Sequence, residues 1–378
     1  MPLLLSDDQV LLADTARPFV AERGGVRHLR ALRDANDATA FSGELWAEFG
    51  AMGFAGALVP ESEGGSGLGH VEAGIILEEI GWSLTPSPFL TTAVGAVTAL
   101  AAASAEQRRR WAPGVVAGKA VAALAIDEGP RHRPERIVLK AERAGNGFRL
   151  TGEKTFVANG HVADLFVVAA RTSGRMEDAE GVTLFVVEKG AKGLEAAPAR
   201  LVDASLASRL RFEGVEVDAD AVIGEVDGGR ASLARVLNAV RVGSASELLG
   251  VGAGAMALTV DYLKTRRQFG QPIGAFQALQ HRTAHLYSEM EVARSAALKA
   301  QQLLDAGDPE AERAVHVAKA MAGLAATLAV QEGVQMHGDV GMTDAFDIGL
   351  YMKRCRVLAE MFGDADYHAD ALARLEGY

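Results

Sequence analysis

The sequence lacks the features of a disulfide-rich, cysteine-zinc or nucleic-acid-binding protein. It contains one cysteine, Cys355, which excludes an internal disulfide and a cysteine-based zinc site. Aromatic residues make up only 6% of the 378 residues, whereas alanine and leucine are frequent, which favours helices over an all-β structure. The formal net charge is -11, and so acidic a chain is a poor candidate for contact with nucleic-acid phosphates.

Long hydrophobic runs are also missing. The apolar start, residues 2–5, is too short for a signal-peptide core, and the apolar stretch 93–103 is shorter than a membrane-spanning helix. We therefore expect no membrane span and a reducing, cytoplasmic location. Hydrophobic residues make up 49% of the chain, so it is a folded protein, and its length exceeds one ordinary core. We expect two or three domains.

The apolar pattern divides the chain into three parts. Residues 1–120 show helical periodicity after a capping box at Ser6 and Gln9, which predicts an N-terminal helical domain. Residues 121–225 carry short β-rich runs between turns, which predict a β-barrel-like middle domain. Residues 226–378 return to long helices and predict a C-terminal four-helix bundle, its last helix running over 349–375. The predicted fold class is α+β, mostly helical.

Two patterns that could mark a cofactor or metal site have simpler explanations. The glycine-rich segment 64–69 lacks a full dinucleotide fingerprint, and Glu61 and Glu63 beside it would repel a pyrophosphate, so we interpret it as a turn. His281 and His285 lie four residues apart on a predicted helix. Because no third ligand has a convincing spacing, no metal site is predicted.

The long helix near 230–265 is rich in small residues, at 243–246 and at 250, 252 and 254. Glycine in a helix costs about 1 kcal/mol relative to alanine, so these residues need a reason. Close helix packing is one reason, and a ligand passing against this face is the other. Glu247 lies in the same apolar helix, either as a paired carboxylate, with Arg241 as the candidate partner, or as a proton-accepting pocket carboxylate. From the sequence, pairing is favoured.

The segment RRQFGQPIGAFQ, residues 266–277, ends this long helix and opens the next one. One interpretation is a helix C-terminus whose cations complement the helix dipole, with Gly270 as its C-cap. The other is an arginine fork that, with a helix N-terminus, faces a phosphate.

With its neighbours in Tyr262–Gln277, this segment resembles the most specific stretch of the acyl-CoA dehydrogenase family. Residues 52–81 resemble the N-terminal helical domain of that family, residues 150–164 its β domain, and residues 335–343 its C-terminal dinucleotide-contact segment. The resemblance covers nearly the whole chain. It implies a helical, a β and a second helical domain, a tetramer, FAD, an acyl-CoA thioester substrate and an electron-transfer protein as acceptor.

The resemblance also implies the chemistry, an α,β-desaturation. A carboxylate removes the α-proton while the β-hydrogen leaves as hydride to the flavin, and hydrogen bonds to the thioester oxygen stabilise the developing charge. Arg241 matches the arginine beside the active site. The positions that match the family's FAD contacts are Arg266, Gln268, Phe269, Ile273, Phe276, Gln277, Gln335 and Gly338.

The departures from the family pattern cluster around the chemistry. The usual base position, before Gly363, is Phe362, and the alternative base position, before Arg241, is Val240. The residues beside the flavin ring differ as well. Two threonines appear as Asp127 and Ala158, and a tryptophan appears as Phe156. Away from the ring, the glycine pair after the histidine reads Gly338-Asp339, which places a carboxylate at the expected position of a pyrophosphate. We retain Phe156 and Ala158 as candidate cofactor contacts.

Four hypotheses follow. In the first, the chain resembles the small, base-lacking subunit of a hetero-oligomeric acyl-CoA dehydrogenase, of a kind known for steroid-side-chain substrates, and a partner supplies the base. In the second, the chain is self-sufficient and uses Glu247, two helical turns after Val240, as a relocated base, with Asp364 and Glu360 as weaker candidates. The third is a flavin monooxygenase of the same fold, and the fourth is a non-catalytic scaffold.

Overall fold

The computed structural model describes residues 2–178 and 180–378. Helices dominate both ends of this described chain. They are α1 (Asp7–Gly24), α2 (Val26–Asp34), α3 (Gly43–Ala51), α4 (His70–Ser83), α5 (Val97–Leu100), α6 (Ala105–Val116), α7 (Gly229–Thr265), α8 (Gln277–Asp305), α9 (Ala311–His337), α10 (Ile348–Glu360) and α11 (Ala365–Leu375).

Strands fill the middle of the chain and form one short hairpin after α7. They are β1 (Ala122–Ala125), β2 (Lys140–Ala144), β3 (Gly147–Ala158), β4 (Leu165–Arg171), β5 (Val182–Glu188), β6 (Leu194–Arg200), β7 (Leu206–Val217), β8 (Val222–Ile223), β9 (Arg267–Gln268) and β10 (Gln271–Pro272). The predicted class, α+β with mostly helices, is confirmed.

The described residues group into two compact units. The helical unit comprises residues 2–35, 69–86 and 241–378, and the sheet unit comprises residues 36–68 and 87–240. The sequence suggests boundaries at 120 and 225, which divide the chain into three continuous segments. These domain boundaries stay a prediction.

Local sequence signals explain how several helices begin. The predicted capping box of α1 is present, because the Ser6 side chain accepts from the Gln9 backbone N–H and the Gln9 side chain accepts from that of Ser6. Ser104 and Gln107 form the same arrangement at α6. Residues Leu90–Ala96, expected to be ordinary helix, form a fully buried π-helical segment.

The sheet of the sheet unit runs in the order β6-β7-β3-β2-β4-β5-β8, with β1 parallel to β4. Its path is open, with β6 and β8 at the two edges, so the barrel-like domain that the sequence predicts is not a closed barrel. Apolar side chains from both halves of the sheet meet in its core, where the rings of Phe148 and Phe185 pack edge to face with centroids 5.2 Å apart. Lys154 of β3 is fully buried, and its Nζ donates to Glu128 over 2.7 Å.

The helical unit packs α8, α10 and α11 against α9. The alanines of α9 make this close approach possible, since they bury a face with little side-chain volume. The glycines of α7 have the same role: a Cβ on Gly250 would lie 1.9 Å from the Glu78 carbonyl oxygen, and one on Gly254 would lie 2.6 Å from the Tyr351 ring. Close packing therefore explains these glycines.

The end of the chain differs from the expected uninterrupted helix over 349–375. The helix stops at Glu360 and restarts at Ala365. Between them the backbone turns through positive φ at Phe362 (59°) and Gly363 (107°), and the Asp364 side chain caps α11 by accepting from the Tyr367 backbone N–H. The apolar periodicity of a helix continues across this break, so the sequence pattern alone does not reveal it.

One helical stretch, Ala311–Met342, is long and apolar enough to cross a membrane. In its most apolar window, 56% of the residues are buried within the fold, as in the core helix of a bundle.

Candidate active site

Arg241 links α7 to the turn between α10 and α11. Its side chain is 4% exposed, its Nε donates to the Phe362 carbonyl over 3.3 Å, and its Nη2 donates to the Tyr367 hydroxyl over 2.9 Å. Its guanidinium carbon also lies 5.3 Å from the centre of the Tyr367 ring. The helix arginine and the expected base position, which are 121 residues apart, are therefore in direct contact.

A second buried cation, Lys319 of α9, holds the same turn. Its Nζ donates to the carbonyls of Leu358 and Ala359, each over 3.1 Å, and to that of Gly363 over 2.9 Å. Burial lowers the pKa of Lys319 to about 7, and the nearby Arg241 guanidinium adds to the shift. Sequence reasoning missed this residue. Its one signal is a lysine in an otherwise apolar, alanine-rich helix.

Two histidines line the same junction. His316 of α9 and His368 of α11 are 3% and 0% exposed, and their Nδ1 atoms lie 2.8 Å apart, so one ring donates to the other. The His316 ring is also 6.5 Å from the ring of Tyr367. The turn is thus surrounded by basic and hydrogen-bonding side chains, although the residue that it presents, Phe362, is apolar.

Neither family base position carries a carboxylate. Phe362 is half-buried in a left-handed conformation, which is uncommon for a bulky residue. Val240, in the sheet unit, is fully buried, and a Cβ on Gly95 would lie 2.8 Å from its Cγ1. Close packing therefore leaves little room for a larger side chain at residue 240.

Glu247 is a buried partner of Arg354, and the pairing with Arg241 suggested by the sequence is wrong. Its carboxylate is 3% exposed and accepts from Arg354 Nε over 2.9 Å. The weaker candidates are on the surface: Glu360 is exposed and pairs with Arg356 over 3.0 Å, and exposed Asp364 caps α11. Of these three carboxylates, Glu247 alone is buried, and it forms an ion pair with Arg354.

The hairpin β9–β10 presents several of the expected cofactor residues to the outside of the helical unit. Phe269 at its tip is 91% exposed with φ 52°, and its ring packs edge to face on Phe276 at 6.1 Å. Arg266 and Gln268 are also exposed, and the Arg266 guanidinium has no hydrogen-bond or ion-pair partner among the described residues. Ile273 and Gln277 flank the entry to α8.

The end of α9 presents the other expected contact. Gln335 is exposed in the last turn, and Gly338 follows with φ 65° in open space, since a Cβ added to it would meet no atom within 4 Å. His337 is buried, donates from Nδ1 to the Gly333 carbonyl and stacks on Tyr262 with ring centroids 4.4 Å apart. Burial lowers the pKa of His337, which favours the neutral ring. Exposed Asp339 adds a negative charge beside Gly338.

The flavin-ring positions of the sheet unit fit an isoalloxazine poorly. The Asp127 carboxylate, which only accepts hydrogen bonds when ionised, lies 2.9 Å from His132 Nδ1. Ala158 ends β3 and has no polar side-chain atom, while Phe156 is 41% exposed with φ 52°. Exposed Arg266 beside the hairpin offers a donor that suits a phosphate, whereas Asp339 at the end of α9 opposes one. Asp127 and Ala158 supply no side-chain donor for a flavin ring.

The structure also shows the local conformation of segment 64–69 and of the histidine pair on α8. The segment 64–69 follows a short 3-10 turn, with Gly64 in the left-handed conformation. His285 lies 3.4 Å from Glu289 on the exposed face of α8. Within residues 2–178 and 180–378, no group of three or more histidine, cysteine, aspartate or glutamate side chains is arranged to hold a metal ion.

Three family models match the chain. They describe the N-terminal domain of acyl-CoA dehydrogenase over residues 6–119, its middle domain over 135–215 and its C-terminal domain over 227–375. Acyl-CoA dehydrogenase FadE12 of Mycobacterium tuberculosis is 32% identical over 320 residues, which cover 83% of this chain and 82% of that protein. Cyclohex-1-ene-1-carbonyl-CoA dehydrogenase of Geobacter metallireducens is 31% identical over 346 residues, 89% of each chain.

Solved structures share the fold over almost the full length. A chain of the ChsE4-ChsE5 complex from Mycobacterium tuberculosis superposes with a TM-score of 0.91 at 27% identity, covering 100% of this chain and 99% of that one. A chain of a Tcur3481-Tcur3483 steroid acyl-CoA dehydrogenase variant superposes with a TM-score of 0.89 at 28% identity, covering 98% of both.

Proposed function

The chain belongs to the acyl-CoA dehydrogenase family, and on that premise we propose that it is one subunit of an FAD-dependent enzyme that desaturates an acyl-CoA thioester. We further propose that a partner subunit supplies the proton-accepting carboxylate. The observation that carries this proposal is the pair of apolar residues, Phe362 and Val240, at the two base positions.

The residues of this chain support cofactor binding at one end only. Arg266, Phe269 and Gly338 would hold the phosphate and adenosine end of FAD, because they are exposed and open to a ligand from outside the helical unit. Bound FAD supplies the hydride acceptor. Asp127 and Ala158 offer the flavin ring no side-chain donor, so a partner would supply the ring contacts.

Glu247 is the base of the self-sufficient alternative, and its surroundings count against it. Proton transfer needs a carboxylate within hydrogen-bond reach of the substrate carbon. The Glu247 carboxylate is 3% exposed and is engaged by Arg354, so substrate access would require this pair to open. Its geometry is that of a structural ion pair.

The names of the relatives favour desaturation over oxygenation. They also favour an assembly of two different chains. FadE12 and the Geobacter protein are named as dehydrogenases, and two similar structures are named as two-component assemblies. We therefore propose a hetero-tetramer that passes electrons to an electron-transfer protein. The substrate is proposed to be a lipid or steroid-side-chain acyl-CoA. Because close packing explains Gly250 and Gly254, these two glycines do not argue for a bulky acyl group.

Co-expression tests the proposal. The chain is purified alone and together with a family member that carries glutamate at the position of Phe362, and each preparation is assayed with a panel of acyl-CoA thioesters and an artificial electron acceptor. We expect a stable complex of two different chains that turns over. A complex that forms without activity, or a lone chain as active as the mixture, would contradict the proposed division of labour.

A further inference from the structure

A cavity in the sheet unit lies between residues 58–60, α5 and α6. Its volume is about 270 Å³, and its apolar wall consists of residues 58–60 with Val97, Leu100, Ala101 and Ala112. We call it the α5–α6 cavity. Pro60 and Ala101 are exposed and lie at its opening, whereas Leu100 and Ala112 are buried. None of the residues expected at the cofactor or at the reaction lines it.

The glycine-rich segment 64–69 holds one wall of the cavity in place. The Gly65 backbone N–H donates to the Pro60 carbonyl over 3.1 Å, and the Gly67 backbone N–H donates to the Val59 carbonyl over 2.9 Å. A Cβ on Gly65 would lie 2.1 Å from the Val59 carbonyl oxygen, so a larger residue there would displace the wall. The cavity is therefore formed before a ligand arrives, which lowers the entropy lost on binding.

The volume and the wall of the cavity define the body of a ligand. Packed protein interiors leave few voids larger than a water molecule, so a space of this volume stands out. Because an apolar cavity of about 150 Å³ holds benzene, this larger one has room for a body of about ten carbons. The wall residues are aliphatic and offer no side-chain hydrogen bond. The body that fits is therefore apolar and compact.

One ion pair completes the lining of the cavity. Arg108 Nε donates to Glu63 Oε1 over 2.7 Å, and Arg108 Nη1 donates to the Ala103 carbonyl over 2.5 Å. The Arg108 and Glu63 side chains are 29% and 27% exposed. Within the described residues, Arg108 Nη2 and Glu63 Oε2 have no hydrogen-bond partner. The pair thus offers a donor and an acceptor, and its two formal charges cancel.

We propose that the α5–α6 cavity binds a neutral alcohol with a compact apolar body. A hydroxyl group both donates and accepts, so it can use Glu63 and Arg108 together. A carboxylate would bring a second negative charge beside Glu63, and an ammonium group would bring a second positive charge beside Arg108. Binding in this cavity does not depend on the proposed desaturation.

Ligand-observed nuclear magnetic resonance titration of the full-length chain tests the proposal with three probes that share the adamantane cage. Adamantanol carries a hydroxyl group, adamantanecarboxylate a negative charge and adamantanamine a positive charge. Ala101→Trp places a large side chain at the opening of the cavity. Its matched control, Ala105→Trp, introduces the same side chain at an exposed position of α6 that does not line the cavity.

We expect the wild-type chain to bind adamantanol about tenfold or more tightly than either charged probe, because each charged group would lose water next to a like charge. Ala101→Trp should weaken adamantanol binding about tenfold or more relative to Ala105→Trp, because the cavity opening is blocked. No binding of adamantanol or equal affinity for the three probes overturns the proposal. Equal affinities in the two tryptophan variants would place the probe elsewhere and also overturn it.

Ala112→Leu keeps the test independent of how Ala101→Trp folds. It adds methyl groups inside the cavity and should abolish adamantanol binding, while the unfolding midpoint stays at or above that of the wild type because empty space is filled. Wild-type affinity for adamantanol in this variant would contradict the proposal.

Glu63→Gln tests the polar end of the site. It keeps the size of the side chain and removes the negative charge. Adamantanecarboxylate should then bind severalfold more tightly, while adamantanol stays within about twofold of its wild-type affinity. Unchanged binding of the carboxylate would show that the ion pair does not face the head group and would overturn the assignment of an alcohol. These titrations need no turnover, so their failure is distinguishable from failure of the proposed desaturation.

Discussion

Two regions of the helical unit carry residues that the family pattern singles out, and they differ in their surroundings. The hairpin β9–β10 exposes Arg266 and Phe269, and the Arg266 side chain has no partner within the described chain. The junction between α10 and α11 buries Arg241 and Lys319, which donate to backbone carbonyls and to the Tyr367 hydroxyl.

This difference indicates that the hairpin is available for binding, whereas the junction stabilises the fold. Exposed side chains that are not used within the fold are available to a cofactor or a second subunit. The cations of the junction hold a turn whose presented residue, Phe362, cannot accept a proton. We therefore expect substitutions in the interior to change stability and substitutions at the hairpin to change cofactor binding.

The largest effect is expected for Glu247→Ala. Removing the carboxylate leaves Arg354 without its ion-pair partner in the interior, which costs about 3 kcal/mol of unfolding free energy. Urea denaturation measures it. Glu360→Ala, at an exposed ion pair, is the matched control and should cost less than about 1 kcal/mol. Unchanged stability together with loss of turnover in Glu247→Gln would instead assign Glu247 to catalysis.

Lys319→Met should change how stability depends on pH. The pKa of Lys319 is about 7 in the folded chain, below its ordinary value, so above pH 7 the unfolded chain binds the additional proton. Unfolding free energy should therefore rise with pH, by about 1 kcal/mol per pH unit from about pH 7 to 9, in the wild type relative to Lys319→Met.

Urea denaturation at several pH values measures this slope. The control is Lys299→Met, at a half-buried lysine of α8. It should keep the wild-type dependence. The same slope in the wild type and in Lys319→Met would contradict a lowered pKa of Lys319 in the folded chain.

Arg266→Gln should weaken retention of FAD by the assembled enzyme about tenfold or more, because a charge-assisted hydrogen bond to phosphate is lost. The adjacent Arg267→Gln is the control, since Arg267 donates to the Gly270 carbonyl within the hairpin. Flavin absorbance after gel filtration measures the bound fraction. Equal losses in the two variants would remove the specific role of Arg266.

Phe269→Ala should have the smallest effect on stability. The side chain is 91% exposed, so unfolding free energy should change by less than about 0.5 kcal/mol, while FAD retention falls. A large loss of stability in the isolated chain would show that the hairpin tip packs within the fold and would break the comparison between the two regions.

Much of the fold could be predicted from the sequence, because helical and strand periodicities are local. The capping box at Ser6 and the long helices followed from local pattern. The break at Phe362 did not, because α10 and α11 have compatible apolar patterns and the break depends on Arg241 and Lys319, which are distant in sequence. Strands β1, β2 and β6 are short or rich in alanine and charged residues, so the local pattern marks them only weakly.

The candidate site could be predicted only in part. The exposed hairpin follows from the local motif at residues 266–277. The partners of Glu247 and Lys319 depend on tertiary contacts: Arg354 lies 107 residues from Glu247, and Gly363 lies 44 residues from Lys319. Their buried, charged environments could not be read from sequence spacing. Asp127 was identified as a departure, but its pairing with His132 was not.

The central claim is that the carboxylate that accepts the α-proton is not on this chain. The most direct test mixes the lone chain, supplied with FAD, with a panel of acyl-CoA thioesters under anaerobic conditions and records the flavin absorbance. Dithionite serves as the control that the flavin can be reduced. We expect no bleaching by any thioester until a base-bearing partner is added. Rapid bleaching by the lone chain would contradict it.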